Sequence, residues 1–447
     1  MKEKELLIPV KERLGITELN DMQRKMLETI NLKQDIILLS PTGSGKTLAF
    51  LLPVLKIMKP LDGKVQCVVI APSRELVIQI FNVLKEISGQ FRVVPLYGGH
   101  KVEDEVNSLK ITPDIIVATP GRLLDHSQRH NTELLPVRIL VFDEFDKSLE
   151  LGFEEEMKKL IQRMKNVNRY ILTSATRGDS LPEFLDLKNP ITIDFLERNT
   201  ELSQRLSVHK VKITEKDKLE SLLQLLKAVS SDKPSEKFII FVNHRESAER
   251  IYDFLKRRGV DCVLYHGALD QRERETAVVL FNNGSRKVLV STDLASRGLD
   301  IENVGSVVHY HQPLTRETFV HRNGRTARID STGDAYVLIG PEEEVKEYVE
   351  ADKEYIIKSE SEGNLTTDCE TLFLNAGKRE KISKGDILGF LIKEGGLNSQ
   401  EIGKINLFDH YSLVSVCNLS EAKIKDLLKQ ISSKKIKGEK RKFSVLK

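Results

Sequence analysis

Short apolar runs rich in β-branched residues alternate with longer stretches whose apolar residues recur every three or four positions. Residues 1–34 follow the helical pattern, and helical stretches at Glu75–Ser88 and Glu154–Lys165 separate later runs. This alternation predicts parallel strands joined by helices, which is a doubly wound α/β sheet. The runs of this first series are Val65–Ile70, Ile115–Ala118, Ile139–Phe142 and Tyr170–Thr173.

A second alternation follows a polar, irregular segment at Arg198–Ser207, which we interpret as a linker. Its predicted strands are Phe238–Val242, Cys262–Tyr265, Val288–Ser291, Val307–Tyr310 and Ala335–Ile339. Beyond residue 357 the pattern changes to a compact unit with short strands at Leu372–Asn375 and Ser412–Val416. The predicted fold is α/β, with two doubly wound parallel-sheet domains at 1–200 and 208–350 and a small α+β domain at 365–435. The composition of residues 436–447 predicts a basic tail that favours phosphate backbones, and a merely solvated, disordered end explains the same composition equally well.

Bulk properties narrow the class of protein without identifying its partner. A chain of 447 residues is too long for a single core, and a net charge of +3 does not by itself indicate nucleic acid. The cysteines are far apart, so neither a disulfide framework nor a zinc site is indicated. No apolar run reaches about 18 residues, the length a membrane helix needs. We therefore expect a soluble, cytoplasmic monomer that has no membrane contact and no cleaved signal.

The segment from Asp35 to Thr47 runs from an apolar strand into a glycine-rich turn and then an apolar helix. Gly43 and Gly45 let several backbone N–H groups face one concavity, Lys46 adds a positive charge, and the Thr47 hydroxyl can bind Mg²⁺. An ordinary Gly/Ser turn is the alternative, but Gly-Lys-Thr lies where a phosphate loop requires it. The predicted triphosphate site comprises Ser40, Pro41, Thr42, Gly43, Ser44, Gly45, Lys46 and Thr47.

Two further clusters carry candidate chemistry. Asp143 and Glu144 follow the strand Ile139–Phe142, at the sheet edge where ligands of such folds bind. There Asp143 can hold Mg²⁺ while Glu144 deprotonates the water that attacks the γ-phosphate. Arg325 and Arg328, three residues apart, can neutralise charge on that phosphate. We expect hydrolysis to require closure of the two domains around the nucleotide.

Taken together, these segments resemble the motifs of the DEAD-box RNA helicases of superfamily 2, over roughly residues 6–345. The shared motifs are Ser40–Thr47, Asp143–Asp146, Ser174-Ala-Thr176 and His321–Arg328, with Gln23, Pro72-Ser-Arg-Glu-Leu76, Gly98-Gly99, Thr119-Pro-Gly-Arg122, Gln271…Arg274, Ser291-Thr-Asp293 and Ser296-Arg-Gly-Leu-Asp300.

The resemblance implies that the two parallel-sheet domains are RecA-like and that the last domain is RRM-like. It also implies an ATP-dependent enzyme that uses Mg²⁺ and binds RNA through its sugar-phosphate backbone. It implies that Gln23 reads the adenine edge and that Asp300 lies at the nucleotide. It further implies that Ser174 and Thr176 bond to Asp146 and couple the nucleotide state to closure. The implied RNA contacts in the two large domains are Arg74, Gly99, Thr119, Arg122 and Thr292.

Several positions depart from the family pattern. Ser40 replaces the first glycine of the strict phosphate-loop pattern, and Phe145 replaces the alanine of the acidic motif. We expect hydrolysis to persist, although the added ring could alter coupling. Leu6 stands where the family has an aromatic residue that stacks on adenine, and Ala327 replaces a glycine of the arginine motif.

The last domain contains two segments that resemble the aromatic strands of an RNA recognition motif. Phe373 and Tyr411 occupy aromatic positions there, where they could stack on RNA bases or simply pack in a small core. Lys384–Leu388, Ile402–Asn406 and Phe408–Tyr411 resemble the RNA-binding domain of the bacterial DbpA subfamily. That resemblance implies targeting to a hairpin of large-subunit ribosomal RNA, with pre-ribosomal particles as partners.

The leading hypothesis is an RNA-dependent ATPase that unwinds short duplexes during assembly of the large ribosomal subunit. An RNA clamp or chaperone, whose ATPase only times its residence on RNA, would use the same residues. A DNA helicase is a third possibility, which the family motifs disfavour.

Overall fold

The computed structural model describes residues 3–446 except 42, 60–62, 178–181, 183, 197–205, 297–300, 302–303, 327–331, 350, 352 and 358–360. Contacts divide the described chain into two compact units, the first ending at residue 196 and the second beginning at Leu206. The predicted linker lies largely outside the described residues. No helix within the described ranges is long and apolar enough to cross a membrane.

The first unit is built on a seven-stranded parallel sheet in the order β3-β4-β2-β5-β6-β1-β7. Its strands are β1 Ile36–Leu39, β2 Cys67–Ile70, β3 Val93–Leu96, β4 Ile115–Ala118, β5 Ile139–Phe142, β6 Arg169–Ser174 and β7 Ile191–Asp194. The central strands β2, β4 and β5 are buried at every position, as expected for a sheet covered on both faces. The predicted doubly wound fold is confirmed.

Helices cover both faces of this sheet, and polar caps set where several of them begin. Asn20 and Ser73, for example, accept hydrogen bonds from backbone N–H groups in the first turns of α2 and α4. The helices are α1 Glu3–Leu14, α2 Asp21–Thr29, α3 Lys46–Ile57, α4 Arg74–Ile87, α5 Val102–Leu109, α6 Pro120–Gln128, α7 Phe145–Glu150 and α8 Glu154–Arg163, with a 3-10 turn at Ile30–Leu32.

The second unit contains another seven-stranded parallel sheet, in the order β10-β11-β9-β12-β13-β8-β14. Its strands are β8 Leu206–Lys212, β9 Phe238–Phe241, β10 Cys262–Tyr265, β11 Val288–Ser291, β12 Ser306–His309, β13 Gly333–Ile339 and β14 Lys353–Glu354. Its helices are α9 Leu219–Asp232, α10 Arg245–Arg257, α11 Gln271–Asn282 and α12 Arg316–Asn323, with a 3-10 turn at Asp293–Ser296. The second alternation seen in the sequence is therefore also confirmed.

The segment that leaves this sheet packs along the second unit. Strand β14 pairs with β8, and Leu365 is buried in the apolar core beneath α9. A Cβ on Gly363 would lie 1.9 Å from the carbonyl oxygen of Lys227, so only glycine fits this close approach. The amide of Asp261 also donates a hydrogen bond to the Leu365 carbonyl at 3.1 Å.

The last domain has a four-stranded antiparallel sheet in the order β16-β17-β15-β20, with two helices packed on one face. Its elements are β15 Cys369–Leu374, α13 Lys384–Lys393, a 3-10 turn at Ser399–Glu401, β16 Ile402–Leu407, β17 Ser412–Cys417, α14 Glu421–Ile431, β18 Lys435–Ile436, β19 Glu439–Lys440 and β20 Phe443–Val445. The predicted small α+β domain is confirmed.

The predicted basic tail over 436–447 is wrong, because residues 435–445 are part of the last domain. Strands β18 and β19 form a hairpin, and β20 pairs with β15 as an edge strand of the sheet. Phe443 explains the error, since its ring stacks on Phe390 at 5.7 Å inside the domain core. The high charge of the hairpin obscured a strand of only three residues.

The structure contains a disulfide, although the sequence indicated no disulfide framework. Cys369 and Cys417 lie directly opposite each other on β15 and β17 and form a disulfide. They are 48 residues apart in sequence, and only the pairing of their strands brings them together. Cys67 and Cys262 are buried free thiols, and burial raises the pKa of both.

Candidate functional site

The predicted phosphate loop connects β1 to α3 at the carboxyl edge of the first sheet. Gly43 and Gly45 have φ angles of 77° and 86°, a conformation that favours glycine. Within the loop, the Ser44 hydroxyl donates to the Pro41 carbonyl at 2.8 Å and lies 2.5 Å from the Ser40 hydroxyl. Ser40, which replaces a glycine of the strict pattern, thus helps hold the turn. Thr42 lies outside the described residues.

Gln23, expected to read adenine, contacts the phosphate loop directly in the structure. Its side chain accepts a hydrogen bond from the Asn20 backbone N–H at 3.0 Å and donates to the Gly45 carbonyl at 3.3 Å. The Asn20 amide donates to the Ser44 carbonyl at 3.0 Å. A Cβ on Gly45 would lie 2.7 Å from the Gln23 amide nitrogen. The start of α2 and the phosphate loop therefore position each other, a role that the sequence did not indicate.

Lys46 and Asp143 place opposite charges inside the protein at this edge. Lys46 is 8% exposed, and its Nζ has no hydrogen-bond acceptor among the described residues. Asp143 is 3% exposed and accepts a hydrogen bond from the Thr173 hydroxyl at 2.6 Å. Burial raises the pKa of Asp143 above its usual range, while the charge of Lys46 and the Thr173 hydrogen bond act against the rise.

Glu144 follows Asp143 in a left-handed backbone conformation, with φ of 47°. Its N–H donates to the Thr173 hydroxyl at 3.1 Å, so this one threonine bonds to both acidic residues of the motif. The side chain of Glu144 is 6% exposed. A non-glycine residue held at positive φ is uncommon and typical of functional turns, which agrees with the role predicted for Glu144.

Of the two hydrogen bonds predicted to Asp146, the structure contains the one from Thr176 and not the one from Ser174. The Thr176 hydroxyl donates to the Asp146 carboxylate at 3.0 Å. Ser174 does not bond to Asp146. Its hydroxyl donates to the Thr176 carbonyl at 2.7 Å and accepts from the Thr176 N–H at 3.0 Å. Ser174 therefore shapes the turn that presents Thr176 to the carboxylate.

Phe145 and Leu6, the two apolar residues that depart from the family pattern, are both buried in hydrophobic cores. Phe145 is 5% exposed and packs edge-on against Phe142, with ring centroids 5.6 Å apart. Phe184 lies on its other side at 6.5 Å. Leu6 is 1% exposed in the core cluster that includes β1 and α3. A buried side chain of this kind cannot serve as a stacking surface, so Leu6 does not replace the missing aromatic residue.

Arg74 and the pair Gly98-Gly99 form one structural unit, although they are far apart in sequence. The Arg74 guanidinium covers the glycine backbone, and a Cβ on Gly99 would lie 2.3 Å from its Nη1. Gly99 also has φ of 101°, which L-residues with side chains rarely adopt. The glycines are thus explained by the close approach of a guanidinium and by backbone conformation.

A buried glutamate, Glu105, positions Arg122 and was missed in the sequence. Its carboxylate accepts from Arg122 at 2.6 Å, from the Tyr97 N–H at 2.8 Å and lies 2.7 Å from His126 Nε2. Burial acts to raise the pKa of Glu105, but these hydrogen bonds and the charges of Arg122 and His100 hold it below its usual value. The only sequence signal was an acidic residue on the apolar side of α5.

In the second unit, Arg322 of the predicted arginine motif is bonded at several points. It is fully buried and pairs with Asp293 at 2.5 Å. It also donates to the Asn243 amide oxygen and the His311 carbonyl, both at 2.8 Å. Burial, together with the charge of Arg322, lowers the pKa of the adjacent His309 to about 3, so that histidine is neutral at physiological pH.

The remaining predicted residues of the second unit are only partly described. Arg325 is 5% exposed and follows α12, and Thr292 is half-buried just after β11. Asp300, Ala327 and Arg328 lie outside the described residues. The roles predicted for these residues therefore stay predictions.

Replacing Glu105 with glutamine should lower the free energy of unfolding by about 2 kcal/mol at pH 7, because Arg122 and His126 would lose a buried anion. The pKa of Glu105 is lowered in the folded state, so its contribution is complete above the unfolded value of 4.5 and is lost as the pH falls through the folded value. Urea unfolding across this range should show a flatter pH profile for the variant. Exposed Glu103, also on α5, is the control, and equal losses in E103Q and E105Q would contradict this role.

Replacing Gly99 with alanine should destabilise the first unit by about 1–2 kcal/mol, because its φ angle is unfavourable for any residue with a Cβ. The added methyl would also displace the Arg74 guanidinium. Gly121 provides the comparison, since a Cβ there meets nothing within 4 Å and G121A lies in a helix. Urea unfolding of G99A and G121A measures the difference, and indistinguishable midpoints would refute the strain argument.

Comparison with known proteins agrees with this geometry over the whole chain. Family models match at residues 20–184 (DEAD/DEAH box helicase), 217–330 (helicase conserved C-terminal domain) and 371–445 (DbpA RNA binding domain). The chain is 32% identical over 420 residues to the DEAD-box ATP-dependent RNA helicase RhpA of Helicobacter pylori, which covers 88% of this chain and 83% of RhpA.

It is also 32% identical over 438 residues to the ATP-dependent RNA helicase DbpA of Escherichia coli, covering 95% of this chain and 94% of DbpA. Among solved structures, Saccharomyces cerevisiae Dbp5 bound to RNA and ADP BeF3 matches with a TM-score of 0.69 and 26% identity, over 79% of this chain and 93% of that one. The motifs, the fold and these relatives show that the chain belongs to the DEAD-box family of ATP-dependent RNA helicases and carries a DbpA-type RNA-binding domain.

Proposed function

We propose that this helicase uses ATP hydrolysis, with Mg²⁺, to separate short RNA duplexes during assembly of the large ribosomal subunit. The observation that carries the nucleotide site is the buried Lys46, whose Nζ lacks a hydrogen-bond acceptor among the described residues, beside the buried carboxyl group of Asp143. A buried cation without an acceptor is unfavourable unless an anion binds there. The γ-phosphate of ATP is the anion that fits a glycine-rich turn at a helix N-terminus.

The residues at this edge divide the chemistry among them. Thr47 and Asp143 would hold Mg²⁺, which would screen the phosphate charge when bound. Glu144 would take a proton from the attacking water, and Thr173 keeps both acidic residues in place through its two hydrogen bonds. Arg325 and Arg328 remain our proposed source of further positive charge, and Gln23 and Asp300 remain proposed nucleotide contacts. Asp146, Ser174 and Thr176 remain the proposed coupling residues.

RNA would contact the first unit at the polar groups that follow its strands. Arg74 lies against the Gly98-Gly99 backbone, and Arg122 is paired with Glu105, which presets its position before RNA arrives. Thr119 lies at the start of α6, where N–H groups can bind a phosphate. Contacts of this kind recognise backbone and not base sequence. Thr292 is proposed to act in the same way from the second unit.

Replacing Glu144 with glutamine should slow RNA-stimulated ATP hydrolysis by at least about 100-fold, because a proton acceptor is lost. ATP and RNA binding should persist, since the backbone N–H that bonds to Thr173 is unchanged. Steady-state ATPase and equilibrium binding measure the two effects. E150Q, in an exposed ion pair with Lys147, is the control.

Wild-type turnover in E144Q would contradict the assignment of the base. A strand-displacement assay on the wild-type protein distinguishes unwinding from an ATP-timed clamp. Retention of RNA without release of the second strand would favour the clamp.

The last domain would direct the enzyme to ribosomal RNA through a basic surface, which the structure assembles from two segments. Lys437 joins them, donating to the Lys381 carbonyl at 2.6 Å and pairing with Asp386 at 2.8 Å. Such a concentration of positive charge favours an RNA backbone. We use the name basic surface for the cations of these two segments, of which Lys434 and Arg441 are paired with Glu394 and Glu439. They are Lys378, Arg379, Lys381, Lys384, Lys434, Lys435, Lys437, Lys440, Arg441 and Lys442.

Reversing two charges of the hairpin, in the variant K435E/K440E, should remove the preference for ribosomal RNA. Lys435 and Lys440 are paired across β18 and β19, and both are exposed, so folding should not depend on them. ATPase activity is measured with large-subunit ribosomal RNA and with an unrelated RNA of equal length. We expect the concentration for half-maximal stimulation by ribosomal RNA to rise at least about tenfold.

Stimulation by the unrelated RNA should change little in the same variant. K425E/K429E, which makes the same charge change on α14, is the matched control. Equal loss in both variants would mean that only net charge matters, and no loss in either would remove the basic surface from the proposal.

A further inference from the structure

One face of the antiparallel sheet in the last domain packs on the domain core. The opposite face is also partly buried, which the sequence did not predict. Leu372 and Leu374 on β15 point into the core, as do Val414 and Val416 on β17. Because side chains alternate along a strand, the opposite face, hereafter the outer face, carries Thr371, Phe373, Leu413 and Ser415. Thr371, Leu413 and Ser415 are nevertheless at most 1% exposed. The middle of the outer face is therefore buried.

Polar groups that follow α11 in the parallel-sheet part of the second unit contact this face. The Thr371 hydroxyl accepts a hydrogen bond from the Asn283 amide at 2.9 Å and lies 2.7 Å from the Ser285 hydroxyl. Asn283 and Ser285 are themselves buried. Hydrogen bonds between buried polar groups are specific in direction, so they fix the position of β15 against the loop after α11.

Aromatic rings extend the outer face beside this contact. Phe373, Tyr411 and Phe408 form a stacked row, with Tyr411 centred 5.7 Å from Phe373 and 4.5 Å from Phe408. Arg272, the second residue of α11, places its guanidinium carbon 5.2 Å from the centre of the Tyr411 ring and 5.9 Å from that of Phe373. At these distances a guanidinium is attracted by the electron-rich faces of the rings.

We propose that the aromatic row is a docking surface for α11, anchored by Arg272, and that the last domain binds RNA without stacking bases on Phe373 and Tyr411. A planar guanidinium lies against the rings where a base would stack, so a base would have to displace it. The connecting segment favours the docked arrangement by keeping the two surfaces near each other. Lys287 donates to the Asn364 carbonyl at 2.5 Å, and the Thr367 N–H donates to Asp261 at 2.7 Å.

Docking also gives the basic surface defined above a fixed orientation on the parallel-sheet part of the second unit. RNA held by that surface would then meet the helicase in one orientation. This consequence rests on the proposed function, whereas the docking contact itself does not.

The absence of tryptophan from the chain allows a direct test. The variant F373W places a single fluorescent ring on the docking surface of the full-length protein. We expect acrylamide to quench it weakly, and R272A in the same background to raise the quenching constant at least about twofold, because the covering group is removed. R258A, which removes a guanidinium 5.1 Å from the Phe254 ring elsewhere in the same unit, should leave quenching unchanged. Strong quenching that R272A does not alter would overturn the docking contact.

Adding large-subunit ribosomal RNA separates docking from base stacking. Docking predicts that the introduced tryptophan keeps its emission at saturating RNA, and that Y411A binds this RNA as tightly as the wild type. Base stacking predicts strong quenching by RNA and a loss of affinity of about tenfold in Y411A. The acrylamide measurements contain no RNA, so a failure of the proposed RNA targeting would leave them intact.

A second comparison is independent of the tryptophan variant. R272A and Y411A should each lower the Tm, and the shift in the double variant should be smaller than the sum of the two single shifts, because both changes remove the contact between the guanidinium and the Tyr411 ring. Y411F should match the wild type, since the Tyr411 hydroxyl is buried without a hydrogen-bond partner among the described residues. Additive shifts in Tm would refute the contact between Arg272 and the ring.

Discussion

The burial of Lys46 and Asp143 at one edge of the first sheet is the constraint on which the site depends. Neither charge is stable inside a protein alone, so Asp143 needs partners that are fixed before any ligand binds, and Lys46 needs an anion. Thr173, at the end of β6, supplies one of them through its bond to Asp143. The parallel arrangement of β1, β5 and β6 places all three residues at the same edge. The proximity of these residues is therefore a consequence of strand order.

The second unit uses the same sheet architecture for a different purpose. At the corresponding edge, fully buried Arg322 connects Asp293, Asn243 and the His311 carbonyl. These bonds satisfy the guanidinium within the protein, whereas Lys46 is left with no acceptor among the described residues. The contrast separates an arginine whose partners all lie within the protein from a lysine that we propose binds an anion.

The sequence predicted the elements and the motifs well because both depend on local signals. Hydrophobic periodicity locates the central strands of both sheets, and the glycine-rich turn at Ser40–Thr47 has a specific spacing. Interactions between distant segments were not predictable in this way. The ion pair of Arg122 with Glu105 depends on which helices become neighbours, and the pairing of Cys369 with Cys417 depends on which strands do. Strand β20 was missed because three residues within a charged segment give almost no periodic signal.

The segment between the last two domains also limits how their positions can be altered. With β14 joined to the sheet, Leu365 in its core and Gly363 against the α9 backbone, this stretch is structurally part of the second parallel-sheet domain. It does not behave as an interchangeable tether of free length. A chimera that transfers the RNA-binding module to another helicase would therefore have to include residues 353–367. The recipient would also need a surface that accepts them, as β8 and α9 do here. Evolutionary exchange of this module faces the same requirement, so the acceptor surface and the module are expected to be inherited together.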